Sequence, residues 1–264
     1  SMNIPTVKFA EMAGYETVAE LARQAGLGGV RGTPAMALGA YEVTPLDMAA
    51  AYTAFSNRGV WTKANYIREI RSESGGRIFE YKPQTRQVLD PRISYMVVDL
   101  MQEVLRSGTG AGVRSRGFGL PAAGKTGTSH DAWFAGFTTK LLCVVWVGFD
   151  NNQELPLEGA KAALPIWTEF MKRAHQYREY RGVHAFDAPD GITTVDIDPL
   201  SGQLATAACP NPRAEVFVTG TQPMEFCRLH GGGGQRTQIA AWDQDEAAAE
   251  SAQAAESSRP RSVR

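Results

Sequence analysis

Apolar residues fall on one helical face through residues 91–106, where Ile93, Met96, Val97, Leu100, Met101, Val104 and Leu105 recur at three- and four-residue spacing. Asp90 stands at the N-cap of this helix, with a carboxylate suited to the first unpaired N–H groups. Two shorter helical stripes, 5–12 and 16–25, precede it and are stopped by Gly14 and Gly26. A third is marked by chemistry as well as period. Thr44 is placed as N-cap, Pro45 suits the first helical position, and Asp47 completes a capping-box pattern. Leu46, Ala50, Tyr52 and Phe55 give that helix its apolar stripe, and Asn57-Arg58-Gly59 ends it.

Elsewhere the pattern shifts to short extended runs. Residues 66–72 and 77–82 predict two strands joined at Ser74-Gly75-Gly76. Stretches 123–129, 132–138 and 141–149 predict an antiparallel meander with a turn at Thr138-Thr139-Lys140. A helix over 164–180 is expected to pack Ile166, Trp167, Phe170 and Met171 against it. These elements predict an α+β fold, an antiparallel sheet flanked by helices with a helical subdomain. After Gly191 the character changes. Alternation at 192–197 and a second short run at 215–219 predict a small β-rich element. The expected organisation is a main domain over 1–182, this element over 191–230 and a disordered tail over 231–264, whose Gly-, Ala- and Glu-rich composition buries too little apolar surface to offset ordering.

Composition narrows the function. A formal net charge of −1 over 264 residues excludes a basic nucleic-acid footprint, so no nucleic-acid partner is expected. The longest apolar run, 141–149, is about half a membrane span. The chain opens at Ser1 with no signal peptide and no initiator Met, and an upstream part is expected. Cys143 sits within an apolar strand and is expected as a buried hydrophobe. Cys209 and Cys227 bracket a loop-rich segment and form a candidate disulfide, which would place the chain in an oxidising compartment. His130, His175, His184 and His230 are scattered without ligand spacing, so neither a metal nor a cofactor is expected.

One stretch admits two incompatible chemistries. Gly119-Leu120-Pro121-Ala122-Ala123-Gly124-Lys125-Thr126 satisfies the phosphate-loop pattern. Lys125-Thr126-Gly127-Thr128-Ser129 is also a Lys-Thr-Gly strand motif. A phosphate loop needs a buried strand before it and a helix starting at its Lys. Residues 114–119 are charged and Gly-rich, and 127–138 carry Trp133, Phe134 and Phe137 in a strand-favouring pattern, so the strand reading is preferred. On an edge strand, the Lys125 ammonium and the threonine hydroxyls suit a carboxylate. Gly127 lets a substrate backbone lie alongside, and a nearby N–H suits an oxyanion hole. No nucleophile with an adjacent base accompanies them.

Several further stretches occur in an order that resembles a known family. Ser1-Met2-Asn3 resembles a Ser-x-Asn motif. It is followed by Thr33-Pro34-Ala35-Met36-Ala37-Leu38-Gly39-Ala40-Tyr41-Glu42-Val43-Thr44-Pro45, Ser107-Gly108-Thr109-Gly110, residues 124–129, Asp131-Ala132-Trp133-Phe134-Ala135-Gly136, and Val145-Trp146-Val147-Gly148. From residue 1 to about 175 the chain is similar to the transpeptidase domain of class A, bifunctional penicillin-binding proteins. The resemblance implies that Ser1 relays a proton, Asn3 holds the substrate amide, and Lys125 supplies positive potential next to Ser1. It implies that Thr126 and Thr128 bind a terminal carboxylate, that the Thr128 N–H forms half of the oxyanion hole, and that Gly127 and Ser129 complete the substrate-binding stretch. The family nucleophile lies in a Ser-x-x-Lys motif ahead of Ser-x-Asn, and nothing precedes residue 1 here. The expected fold therefore lacks the N-terminal strands and the nucleophile helix, leaving an inactive piece with an exposed apolar sheet face and the missing N-terminal segment as partner.

The implied function is peptidoglycan D,D-transpeptidation through a serine acyl-enzyme. The implied ligands are stem peptides ending in D-Ala-D-Ala and, for the full-length enzyme, covalent β-lactams. The implied setting is extracytoplasmic, anchored through an absent segment alongside a glycosyltransferase domain. The alternatives are a D,D-carboxypeptidase or β-lactamase-like hydrolase, a non-catalytic peptide- or partner-binding remnant, and a nucleotide enzyme.

Overall fold

A computed structural model describes residues 2–151 and 153–230; Ser1 and the expected disordered tail over 231–264 lie outside the described residues. The described chain divides into two compact units, 1–193 with 216–220, and 194–215 with the residues from 221 onward. No helix among the described residues is long and apolar enough to cross a membrane.

The first unit begins with α1 (Asn3–Ala13) and α2 (Tyr15–Gln24), separated at Gly14, whose φ of 84° favours a residue without a Cβ. A 3-10 turn follows at Pro34–Leu38, and then α3 (Pro45–Ser56). Thr44 caps this helix as the sequence predicts, with the Asp47 carboxylate bonded to the Thr44 hydroxyl in place of the Thr44 backbone N–H. Thr44 Oγ1 accepts from the Asp47 N–H at 3.1 Å and donates to Asp47 Oδ2 at 2.7 Å. Four short strands make two peripheral antiparallel ladders: β1 (Val60–Thr62) with β4 (Thr85–Gln87), and β2 (Glu69–Arg71) with β3 (Arg77–Glu80). The β1–β4 ladder carries no alternating apolar signal and goes unseen in the sequence. Next comes α4 (Pro91–Arg106), opened by Asp90, whose Oδ1 accepts from the Arg92 N–H at 2.8 Å.

After the short α5 (Gly112–Ser115) the central sheet forms from β5 (Ala123–Thr128), β6 (Ala132–Phe137) and β7 (Leu142–Val147), antiparallel in that order. Alternation along β6 builds a core on each face. Ala132 and Phe134 join Leu105, Val113, Phe118, Leu164, Trp167 and Met171 on one side, where α6 (Ala163–Ala174) packs. Phe137 joins Val98, Met101 and Ala123 on the other, with Tyr52 and Phe55 of α3 against them. The fold class is therefore α+β, as the sequence predicts.

Two helix faces differ from expectation. In α4 the buried residues are Ser94, Val98, Met101 and Leu105, while Ile93 and Leu100 are 43% and 58% exposed. The seam is centred on Ser94, whose hydroxyl donates to the Ala54 carbonyl of α3 at 3.0 Å. A hydropathy stripe does not recognise a small polar residue as the point of closest approach. In α6, Trp167 and Met171 are buried, but Ile166 and Phe170 point outward, and the helix stops at Ala174 instead of 180. The sheet faces are covered. Among the described residues, strongly exposed apolar side chains cluster instead on α1, at Ile4, Phe9 and Met12.

The second unit and its flanks carry β8 (Ile192–Ile197) and β9 (Arg213–Val218), a two-stranded sheet. Single bridges pair Ile197 with Leu204 and Leu204 with Phe226. Cys209 and Cys227, the candidate disulfide, do come together, but as free thiols. His230 and Asp198 join them, correcting the expectation that the histidines lack ligand partners: a three-dimensional turn, invisible as spacing, brings all four donor atoms within 4.8 Å of one another. Cys143 is half-buried against the α6-side core, and burial pushes its thiol up to about 11.

Trp167 ties the main core together. It is fully buried and its indole N–H donates to the carbonyls of Gly136 (3.3 Å) and Cys143 (3.1 Å), one on each of β6 and β7. Trp167→Ala is expected to cost about 3–5 kcal/mol, read as a shift in the denaturant midpoint.

Candidate active-site groove

Lys125 stands in the middle of β5, paired across the ladder with Ala135. No helix begins there, so the phosphate-loop reading fails: no helix N-terminus faces the place a phosphate would occupy. Within the sheet β5 is an edge strand, bonded to β6 on one side only. The Ser129 N–H donates to the Asp131 carbonyl at 3.0 Å, continuing the ladder beyond the strand. Backbone groups alternate in direction along a strand, so the N–H groups of Thr126 and Thr128 face outward. An extended chain entering there meets a row of peptide groups available for pairing.

Lys125 and Gly127 look onto the face covered by α3. A groove of about 190 Å³ runs there, lined by Leu38, Tyr52, Lys125, Gly127, Thr128 and Trp133 among others. Lys125 Nζ donates to the Thr126 carbonyl at 2.9 Å, and burial lowers the ammonium's pKa from its ordinary value. Burial also pushes the Tyr52 phenol up to about 12, so the groove wall there stays neutral.

Both threonine hydroxyls already have partners that sequence reasoning missed. Thr126 Oγ1 lies 2.6 Å from Thr109 Oγ1. Thr128 Oγ1 accepts from the Gly159 N–H at 3.0 Å and keeps its own proton to donate. Residues 107–110 carry a family likeness in the sequence, but nothing local assigns Thr109 to Thr126. Gly159, more than thirty residues downstream, has no sequence signal at all. Lys125, Thr126, Gly127, Thr128 and Ser129 thus share one groove. Asn3 is not among the residues that line it. It opens α1 as an exposed residue, and α1 packs on the 3-10 turn that contributes Leu38. Ser1 lies outside the described residues.

The site is thus an open strand edge with a half-buried ammonium beside it. Sequence comparison names the family. Residues 1–172 match the penicillin-binding protein transpeptidase domain, and this chain belongs to that family. Residues 188–232 match the C-terminal domain of penicillin-binding protein 1A. The chain is 35% identical over 232 residues to penicillin-binding protein 1A of Aquifex aeolicus, covering 86% of this chain and 31% of that protein. It is 31% identical over 237 residues to penicillin-binding protein 2D of Bacillus subtilis, covering 86% and 34%. The chain thus spans about a third of the length of these curated relatives. The crystal structure of penicillin-binding protein 1A from Haemophilus influenzae superposes with a TM-score of 0.75 at 27% identity, over 85% of this chain and 39% of that one.

The buried ammonium sets a pH dependence. The Lys125 pKa falls below its ordinary 10.5 on folding, so between the two values the unfolded chain binds more protons and stability rises with pH. Methionine carries no such penalty. Lys125→Met is expected to unfold at a higher temperature than the unsubstituted chain near neutral pH. That gap should close as pH passes about 10.5, where the lysine is neutral in both states. Thermal unfolding of both proteins across this range checks the sign.

Proposed function

We propose that this chain forms the carboxylate-recognising and oxyanion-forming side of a peptidoglycan D,D-transpeptidase site. The supporting observation is the β5 edge: Lys125 in the groove, with the Thr128 N–H facing outward beside it. A stem peptide ending in D-Ala-D-Ala would lie along this edge as an added strand. Its terminal carboxylate would meet the Lys125 ammonium and the Thr128 hydroxyl proton. The carbonyl of its penultimate residue would then accept from the outward Thr128 N–H, where negative charge develops during attack.

The chemistry is acyl transfer. A serine oxygen adds to that carbonyl and the terminal D-Ala leaves as its amine, taking a proton. An amine of a second stem peptide then displaces the serine. The family resemblance gives Ser1 the proton relay and Asn3 the hold on the substrate amide, roles that require α1 to bring Asn3 to the groove it does not line here. The full site requires a Ser-x-x-Lys serine, and these 264 residues contain no such motif. β-Lactams, which present the same carboxylate and a strained carbonyl, are the covalent ligands proposed for the complete enzyme. The setting is the outer side of the cytoplasmic membrane, where the substrate is.

Two measurements test this reading. A peptide ending in free D-Ala-D-Ala should shift the β5 amide resonances, and its C-terminal amide should bind about 10–100-fold more weakly through loss of a charge-assisted contact. Lys125→Ala should erase the difference; equal binding of both peptides by the unsubstituted chain would refute the carboxylate assignment. Labelled penicillin is expected to leave no covalent adduct on this chain alone. An adduct that survives denaturation would show that a nucleophile is present among its residues.

A further inference from the structure

The second unit has an unusual interior. Among its described residues no aliphatic or aromatic side chain is buried; its buried residues are Asp198, Cys209 and Cys227. Asp198 is 1% exposed, Cys227 3% and Cys209 7%, and the His230 side chain completes the group at 22%. A unit this small with no apolar core needs a cross-link of another kind, a disulfide or an ion.

The distances discriminate between these. Cys227 Sγ lies 3.3 Å from Asp198 Oδ2 and 3.5 Å from His230 Nδ1, and His230 Nδ1 lies 3.3 Å from Asp198 Oδ1. All four residues place a donor within 4.8 Å of the others. A tetrahedral ion held at about 2.0–2.3 Å by nitrogen, oxygen and sulfur separates its donors by about 3.3–3.8 Å. The Cys227–His230 separation falls in that range, as does the approach of each to one carboxylate oxygen of Asp198, Oδ2 for Cys227 and Oδ1 for His230. A disulfide would use only the two sulfurs and give the buried Asp198 carboxylate and the His230 imidazole no part in the cross-link.

Backbone hydrogen bonds hold three of the four donor residues. Leu204, bridged to both Ile197 and Phe226, accepts from the Cys227 N–H at 2.8 Å. Thr206 supplies an N–H to Cys209 Sγ at 3.3 Å, and Ser201 supplies one to Asp198 Oδ2 at 3.0 Å. Such outer bonds orient ligands in built metal sites.

We propose that Asp198, Cys209, Cys227 and His230 hold one structural zinc ion. Two thiolates, one imidazole and one carboxylate fill a four-coordinate shell and leave no position for water, the pattern of a closed site. The mixed soft and borderline donor set favours zinc over magnesium or calcium. Binding displaces the thiol protons to solvent, and the ion takes over the role of a core.

The test uses the whole 264-residue chain, without a histidine tag, prepared in a non-thiol reductant and freed of metal. Zinc is expected to bind one per chain. Cobalt(II) in its place should give intense tetrahedral d–d bands with sulfur-to-metal charge transfer. Cys209→Ser, Cys227→Ser and His230→Ala should each weaken zinc binding by more than about 100-fold, beyond what loss of an outer-shell partner causes. Cys143→Ser, in the other unit, should bind as the unsubstituted chain does. If a cysteine variant fails to fold, His230→Ala and the cobalt spectrum still decide. The proposal is overturned by a weak octahedral cobalt spectrum or by zinc binding that follows Cys143. It is equally overturned by chain purified without reductant that carries no metal and has Cys209 joined to Cys227, two hydrogens lighter by intact mass.

Discussion

The antiparallel ladder between β5 and β6 is the constraint on which the groove depends. Pairing Lys125 with Ala135 and Gly127 with Trp133 fixes which side chains of β5 face α3. The same register turns the Thr128 peptide outward and sends Phe134 and Phe137 into opposite cores. A slip of one residue would turn the Lys125 side chain from the groove toward the α6-side core. The large aromatic residues that hold the register are therefore as much part of the site as the lysine.

The two faces of the sheet do different work. On the α6 side, Phe118, Phe134 and Trp167 form a contiguous aromatic packing, with Phe118 and Phe134 ring centres 5.5 and 4.9 Å from that of Trp167. His175 belongs to this side as well. Its Nδ1 faces the Met171 carbonyl at 2.7 Å and so carries the proton, leaving Nε2 to accept from Thr138 at 2.9 Å. On the α3 side the groove opens beside Lys125, between Leu38, Tyr52 and Trp133.

Much of this was legible in the chain. Period and capping chemistry located α4 to the residue, and the strand-favouring aromatics after Lys125 favoured a strand over a nucleotide loop, an alternative that only the observed β5 removes. What stayed hidden depends on contacts distant in sequence. Ser94 marks the α3–α4 seam because a hydroxyl can reach a carbonyl there, which hydropathy scores as an error. Ile166 and Phe170 count as apolar in any periodic pattern, yet only packing decides that Trp167 and Met171 are the buried pair. Thr109 and Gly159 reach the site through loops, where no period exists to read. The cysteine pair shows the same limit: spacing admitted a bridge, whereas the position of His230 only appears once the chain has turned back on itself.

Gly159 ties the loop ahead of α6 to the β5 edge more tightly than a single hydrogen bond conveys. A Cβ at this position would stand 2.3 Å from the Gly127 oxygen and 2.6 Å from the Trp133 oxygen, both rigid backbone atoms of the paired strands. The loop can rest there only while it presents bare backbone. Side-chain-free backbone at this one position is thus what allows the loop to sit directly on both strands and to hold the Thr128 hydroxyl with its own N–H.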